Sequence, residues 1–313
     1  MIREGRRAKG IAVRLGVIML LGLVPMACGH EDRPTVTSSA LDDDAVTIGS
    51  FNFAESALLS ELYAQALEGQ GYDVERAGQV GPREIVAPAL VRGLLELVPE
   101  YAGTALTFLS LGGAQPTADQ ETTHEALSRS AAERGLVALA PSPAQDANAF
   151  VVTRATADRL GIERLSDLAP LAGDLTFGGP PECASRPLCL EGLRDLYEIE
   201  FKTVLALDPA GPRTREALQD GAIDVALMFT TAATIDADDL VVLTDDRRLQ
   251  PAENVTPLVR QDVVDRWGQD LVNTLDAVSE RLSTDDLRRL NTMLDGRTPA
   301  AVAAQWLQQQ GLA

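Results

Sequence analysis

The chain has 313 residues, of which 45% are apolar and 4% aromatic, and a net charge of −19. Acidity on that scale argues against a nucleic-acid binder and is read as solubility. With two histidines, and without a Gly-rich phosphate loop, a His-Glu-x-x-His or a Gly-x-Ser-x-Gly, the chain offers no enzyme motif, calls for no cofactor or metal and is not expected to be an enzyme.

In chain order, residues 1–10 form a basic region and 11–24 an apolar one broken only by Arg14. That run is too short and too poorly flanked for a stable transmembrane helix. Residues 1–27 hold five basic residues and one acid, so the rest of the chain carries about −23. Pro25-Met26-Ala27 precedes Cys28, which resembles a bacterial lipoprotein cleavage box with Pro25 where Leu is usual. The expectation is a signal peptide over 1–27 and a lipid anchor on Cys28. An ordinary secretion signal with an incidental Cys is the alternative. Residues 28–45 are short-sided, polar and acidic and read as a flexible tether that keeps a soluble domain near a membrane partner.

From residue 46 strands and helices alternate. The periodicity predicts strands over 46–50, 72–77, 96–98 and 136–140, and helices over 54–69, 83–92, 103–111 and 122–134. In the helix over 54–69, Leu58, Leu59, Leu62, Tyr63, Ala66 and Leu67 recur at helical spacing. Pro99-Glu100-Tyr101 reads as a turn into a helix that starts at Gly103-Thr104. A second run follows, with a strand ending at 153 and others over 175–178, 203–208, 223–229 and 240–243. Its helices lie over 155–160, 191–197 and 213–220, with a further helix start at 165–168 capped by Ser166. Residues 254–260 read as a return strand and 261–312 as helical. Tyr63, Tyr72, Trp267 and Trp306 fall at core periodicity.

This alternation implies an α/β protein with mainly parallel sheets covered on both faces. It is expected to have two lobes, the second inserted in the first. Residues 46–148 and 250–313 would form lobe one and 149–249 lobe two, with the ligand in the cleft between them. Cys183 and Cys189 flank five residues of a Pro-rich loop. In an exported protein a disulfide is the better reading, and a metal site would need ligands beyond His30 and His124.

Two segments carry a family resemblance. Ile48-Gly49-Ser50-Phe51-Asn52-Phe53-Ala54-Glu55 is similar to an Ile-Gly-Ser-Lys-Asn-Phe-Thr-Glu-Gln pattern, and Gly81-Pro82-Arg83-Glu84 to a Gly-Ser-Arg-Glu helix start. Pro99-Glu100-Tyr101-Ala102-Gly103-Thr104 matches Pro-Glu-Tyr-x-Gly-Thr. Together they resemble the substrate-binding proteins of glycine betaine/choline/carnitine ABC importers, over nearly all of residues 46–313.

The resemblance implies a periplasmic-binding-protein-like fold of type II and a cleft that binds a quaternary-amine osmolyte. Tyr101 would offer its ring to the cation, and Thr104 its hydroxyl and N–H to a carboxylate or hydroxyl. Phe51 and Asn52 lie in the turn that would face the cleft, with Phe51 where Lys is usual. That exchange weakens the case for a carboxylate contact and makes choline easier to accept. Asp146 stands at the first crossing. Asn148 takes the position of a cage Tyr. Phe229 keeps a cage ring without its hydroxyl. Arg186, between the cysteines, is a candidate for a ligand carboxylate.

The sequence is therefore read as a monomeric, lipid-anchored solute receptor on the outer face of the cytoplasmic membrane, serving ABC permease subunits. The rival is a surface sensor or interaction lipoprotein of the same fold with a different or lost ligand.

Overall fold

The computed structural model describes residues 44–312. The expected signal peptide, Cys28 and nearly all of the expected tether lie outside the described residues. Among those described, no helix is long and apolar enough to cross a membrane.

Ten strands form two five-stranded sheets. The first contains β1 (Ala45–Phe51), β2 (Asp73–Gly81), β3 (Leu97–Tyr101), β4 (Leu136–Ala138) and β10 (Val255–Arg260), in the order β2-β1-β3-β10-β4. The second contains β5 (Asn148–Thr153), β6 (Thr176–Gly179), β7 (Thr203–Ala206), β8 (Val225–Phe229) and β9 (Leu240–Val242), in the order β7-β6-β8-β5-β9. Each sheet, with its helices, is one lobe.

Both sheets are mixed, not mainly parallel. β1 runs parallel to β2 and β3, and β6 parallel to β7 and β8. β10 is antiparallel to β3 and β4, and β5 to β8 and β9. The reason is topological: β5 and β10 follow the segments that carry the chain between lobes and enter their sheets from the opposite end. Those segments are bonded side by side, with the Asp146 N–H donating to the Glu253 carbonyl at 3.1 Å.

In lobe one the helix Ala54–Gly69 forms as its spacing predicts, and its Leu58, Leu59, Leu62, Tyr63 and Leu67 are buried. The chain then turns at Gly71, whose φ of +87° suits glycine. The helical C-terminus is three helices. Gln261–Arg281 is kinked at Gly268, and Thr284–Met293 starts on a Ser283–Asp286 capping box. Pro299–Gln310 starts on Thr298. Tyr63 and Trp306 are core residues, while Tyr72 and Trp267 pack edge to face at the core's margin.

Two local expectations fail for tertiary reasons. Pro99-Glu100-Tyr101 is the end of β3, not a turn, because β10 supplies partners: Pro99 lies opposite Pro257 and Tyr101 opposite Val255. Ser166 does not cap the segment at 165–168. That segment is a 3-10 turn in which the Asp167 carboxylate accepts from the N–H groups of Glu163 and Arg164. In lobe two Cys183 and Cys189 are joined, closing the loop that follows β6.

Candidate functional site

A cavity of about 430 Å³ lies between the lobes. Lobe one lines it with Phe53, Arg83, Tyr101, Thr104 and the crossing residues Asp146 and Glu253. Asn148, the boundary residue that opens β5, lines it as well, and lobe two adds Phe229 and the disulfide-closed loop at Ser185, Arg186, Pro187 and Leu188. Phe108 and Leu111 flank it, and Leu111 is 84% exposed.

One wall is aromatic. Phe53 stacks on Tyr101 with ring centroids 6.2 Å apart and meets Phe229 of the other lobe at 5.1 Å. Phe51 stacks behind Phe53 at 6.0 Å. The π faces and edges of such a cluster attract an organic cation.

A buried hydrogen-bond network stands behind that wall. The Tyr101 hydroxyl donates to Glu55 Oε1 at 2.7 Å. Glu55 Oε2 accepts from Thr231 Oγ1 of lobe two and from Asn291 Nδ2. Asp146 Oδ1 accepts from Thr230 Oγ1 and from the Thr231 N–H, each at 3.0 Å. Burial, and then the nearby Glu55 carboxylate, push Asp146 well above the usual carboxylate range, more than the threonine bonds lower it. Burial, and then Glu55, also hold the Tyr101 hydroxyl well above its ordinary value, so it stays protonated and donates.

A second part of the lining is built around Glu253, which is 2% exposed. Thr104 donates to it twice, from its N–H to Oε2 at 3.0 Å and from its hydroxyl to Oε1. Thr104 lies in the first turn of the helix Ala102–Leu109, whose unsatisfied N–H groups favour a carboxylate. Glycine at 103 permits this approach: a Cβ there would come within 2.3 Å of Pro251 and 2.9 Å of the Ala252 carbonyl. Burial pushes Glu253 up to about 7, against the lowering effect of the Thr104 bonds and of Arg83. Arg83 opens the helix Arg83–Val91 and gives its Nε and Nη2 to Glu100. Its guanidinium lies 4.6 Å from the Phe51 ring centroid.

The lobes are also joined at the rim. Arg186 donates from Nε and Nη2 to the two carboxylate oxygens of Glu84, at 3.1 and 2.9 Å. Burial raises Glu84, but the Arg186 bonds outweigh it and hold the group below its ordinary value.

The structure thus brings Tyr101, Thr104, Asp146, Asn148, Phe229 and Arg186 to one cavity. Thr104 is committed to Glu253, and Arg186 to Glu84. Asn148 pairs with Phe229 in the second sheet and gives its Nδ2 to the Leu188 carbonyl at 2.9 Å, bracing the loop. Two expected residues are not in the lining. Phe51 is the last residue of β1 and is buried in the lobe-one core, and Asn52 is exposed outside the cavity. The residue that reaches the cavity from this turn is Phe53, two positions on. Sequence reasoning also missed Arg83, Glu55 and Glu253. No local signal marks Glu253, because an acid in a loop before a return strand reads as solvated and its burial comes from Thr104, distant in sequence.

A family model described as the substrate-binding domain of ABC-type glycine betaine transport systems matches residues 44–309. The glycine-betaine-binding protein of Pseudomonas aeruginosa is 28% identical over 282 residues, 86% of this chain and 89% of that one. The carnitine transport binding protein of Listeria monocytogenes is 25% identical, over 85% of this chain and 87% of its own. A crystal structure of a glycine betaine/carnitine/choline ABC transporter protein superimposes with a TM-score of 0.66 at 26% identity, covering 85% of this chain and 99% of its own.

Proposed function

The chain belongs to the family of substrate-binding domains of ABC-type glycine betaine transport systems, and on that premise we propose that it captures a small quaternary amine between its lobes and hands it to an ABC permease. The family binds transport substrates and is not a family of enzymes. Binding proteins of ABC importers act outside the cytoplasm, and in this reading Cys28 carries the lipid that holds the protein there. Residues 46–148 with 250–313, and residues 149–249, are then the two bodies whose hinge closure traps the ligand.

The observation that supports this reading most is the aromatic wall, in which Tyr101 and Phe53 of lobe one meet Phe229 of lobe two beside buried carboxylates. A desolvated cation–π contact contributes on the order of 1–2 kcal/mol. Calorimetric titration with glycine betaine, choline, carnitine and proline betaine tests the reading. At least one should bind, and Tyr101→Ala should weaken it about tenfold. Tyr101→Phe should be milder, since the ring survives. If none of the four binds, or Tyr101→Ala binds as the wild type does with its fold intact, the cavity is not a quaternary-amine site.

A further inference from the structure

We propose that Glu253 occupies the place a substrate's own carboxylate would take, so that this cleft selects a small organic cation bearing no carboxylate over a zwitterion. The inference rests on the quaternary-amine reading and adds the identity of the residue that sets specificity.

A zwitterion needs donors for its carboxylate. The strong donors that line this cavity are the Thr104 hydroxyl and N–H, the Tyr101 hydroxyl and the guanidinia of Arg83 and Arg186. Each already serves a carboxylate of the protein. Thr104 gives both its donors to Glu253. Tyr101 gives its hydroxyl to Glu55. Arg83 is held by Glu100 and Arg186 by Glu84, each through Nε and Nη2.

The helix start at Thr104 is the point that decides. It has the chemistry of a carboxylate site, namely a first-turn N–H with no partner inside the helix and a hydroxyl side by side. Pro251 and Ala252 pack so closely over Gly103 that the Glu253 carboxylate is delivered to those donors by the backbone itself. A ligand carboxylate would have to displace a covalently tethered one or lie against it uncompensated. Both outcomes disfavour it, and specificity is often set by such a repulsive element. A cationic headgroup meets the reverse situation. It approaches the aromatic wall with Glu253 lining the same cavity as a counter-charge, and it brings no group that needs those donors.

Glu253 is also well placed to respond to a cation. The groups facing it are Thr104 from the helix Ala102–Leu109, Arg83 from the helix Arg83–Val91 and Glu100 from β3, and burial pushes its carboxyl up to about 7. A bound cation stabilises the charged form, so binding near that pH should expel a proton.

The test is titration of the purified protein at pH 8 with choline chloride and with glycine betaine, for wild type and Glu253→Gln. The wild type should bind choline at least tenfold more tightly than glycine betaine. Glu253→Gln should weaken choline about tenfold and bring the two ligands close together. Choline binding at pH 7, measured in two buffers of different ionisation enthalpy, should release a proton from the wild type. This last readout needs no variant and stands if Glu253→Gln does not fold. A wild type that prefers glycine betaine, or a folded Glu253→Gln with an unchanged ratio, overturns this inference and leaves the quaternary-amine reading standing. Binding of neither ligand overturns this inference, and binding of neither these two nor carnitine nor proline betaine overturns both.

Discussion

Replacing Glu253 should make stability less dependent on pH, with a sign and size that follow from its surroundings. The carboxyl is buried and pushed up from its ordinary value of 4.5 to about 7. An acid raised in the folded state holds its proton more tightly there than in the unfolded chain. The folded protein therefore keeps the full benefit below about pH 4.5 and loses it as pH rises through about 7. At 1.36 kcal/mol per pH unit, the difference between the two values corresponds to about 3 kcal/mol of lost stability at alkaline pH.

Glu253→Gln removes the titration and keeps an oxygen that can accept from Thr104. Wild type and variant should unfold at similar temperatures at pH 5, where the wild-type group is protonated. At pH 8 the variant should gain about 3 kcal/mol on the wild type, roughly 6 °C in Tm for a domain of this size. Asp146 is raised in the same direction, but it is present in both proteins and cancels in the comparison. The assay is thermal unfolding followed by circular dichroism at four pH values from 5 to 8. A Tm difference that stays flat across that range would refute the reasoning, because it would mean that the carboxylate is already compensated in the empty cleft.

Two further outcomes follow from the rim and the anchor. The Arg186–Glu84 pair joins the lobes but is partly exposed, with side-chain exposures of 26% and 42%, so it contributes at most about 1 kcal/mol. Glu84→Gln should weaken ligand binding roughly twofold to fivefold and raise the open fraction seen by small-angle scattering, and unchanged affinity and scattering would remove the pair from the closing mechanism. Cys28→Ala should move the protein from the detergent phase to the aqueous phase or leave it unprocessed, and unchanged partitioning counts against the lipid anchor.

The elements were legible because their signals are local. Apolar residues at 3.6 spacing gave the helix Ala54–Gly69 its bounds, and short apolar runs marked most strands. What escaped was set by distant partners. Pro99-Glu100-Tyr101 has turn composition and becomes strand because β10 lies alongside it. The direction of β5 and β10 depends on how the chain crosses between lobes, and no window of sequence contains that.

The same division runs through the site. Tyr101, Asp146, Phe229 and Arg186 were readable as residues at strand ends or in the loop after a strand, where a cleft collects side chains. Glu55 and Glu253 were not, since an acid near a helix start or in a loop reads as solvated. Their burial comes from Thr231 and Asn291 in one case and from Thr104 in the other, far away in sequence. From this turn the sequence singles out Phe51, because it stands where a lysine is usual in the family it resembles, and not Phe53. The fold places the first in the core beneath Arg83 and the second in the cleft.

Phe51 acts from behind the lining, where its ring gives the Arg83 guanidinium, already neutralised by Glu100, a face to lie on. At the Thr104 helix start, the proposed reading has Glu253 supply the negative charge that would otherwise be attracted from the ligand. On that proposal a ligand carboxylate finds its donors already taken by Glu253, while Tyr101, Phe53 and Phe229 keep the surface a cation needs. The parts that favour a cation lie open to the cavity and the helix start that would reward a carboxylate is filled, which is what a ligand carrying positive charge alone requires.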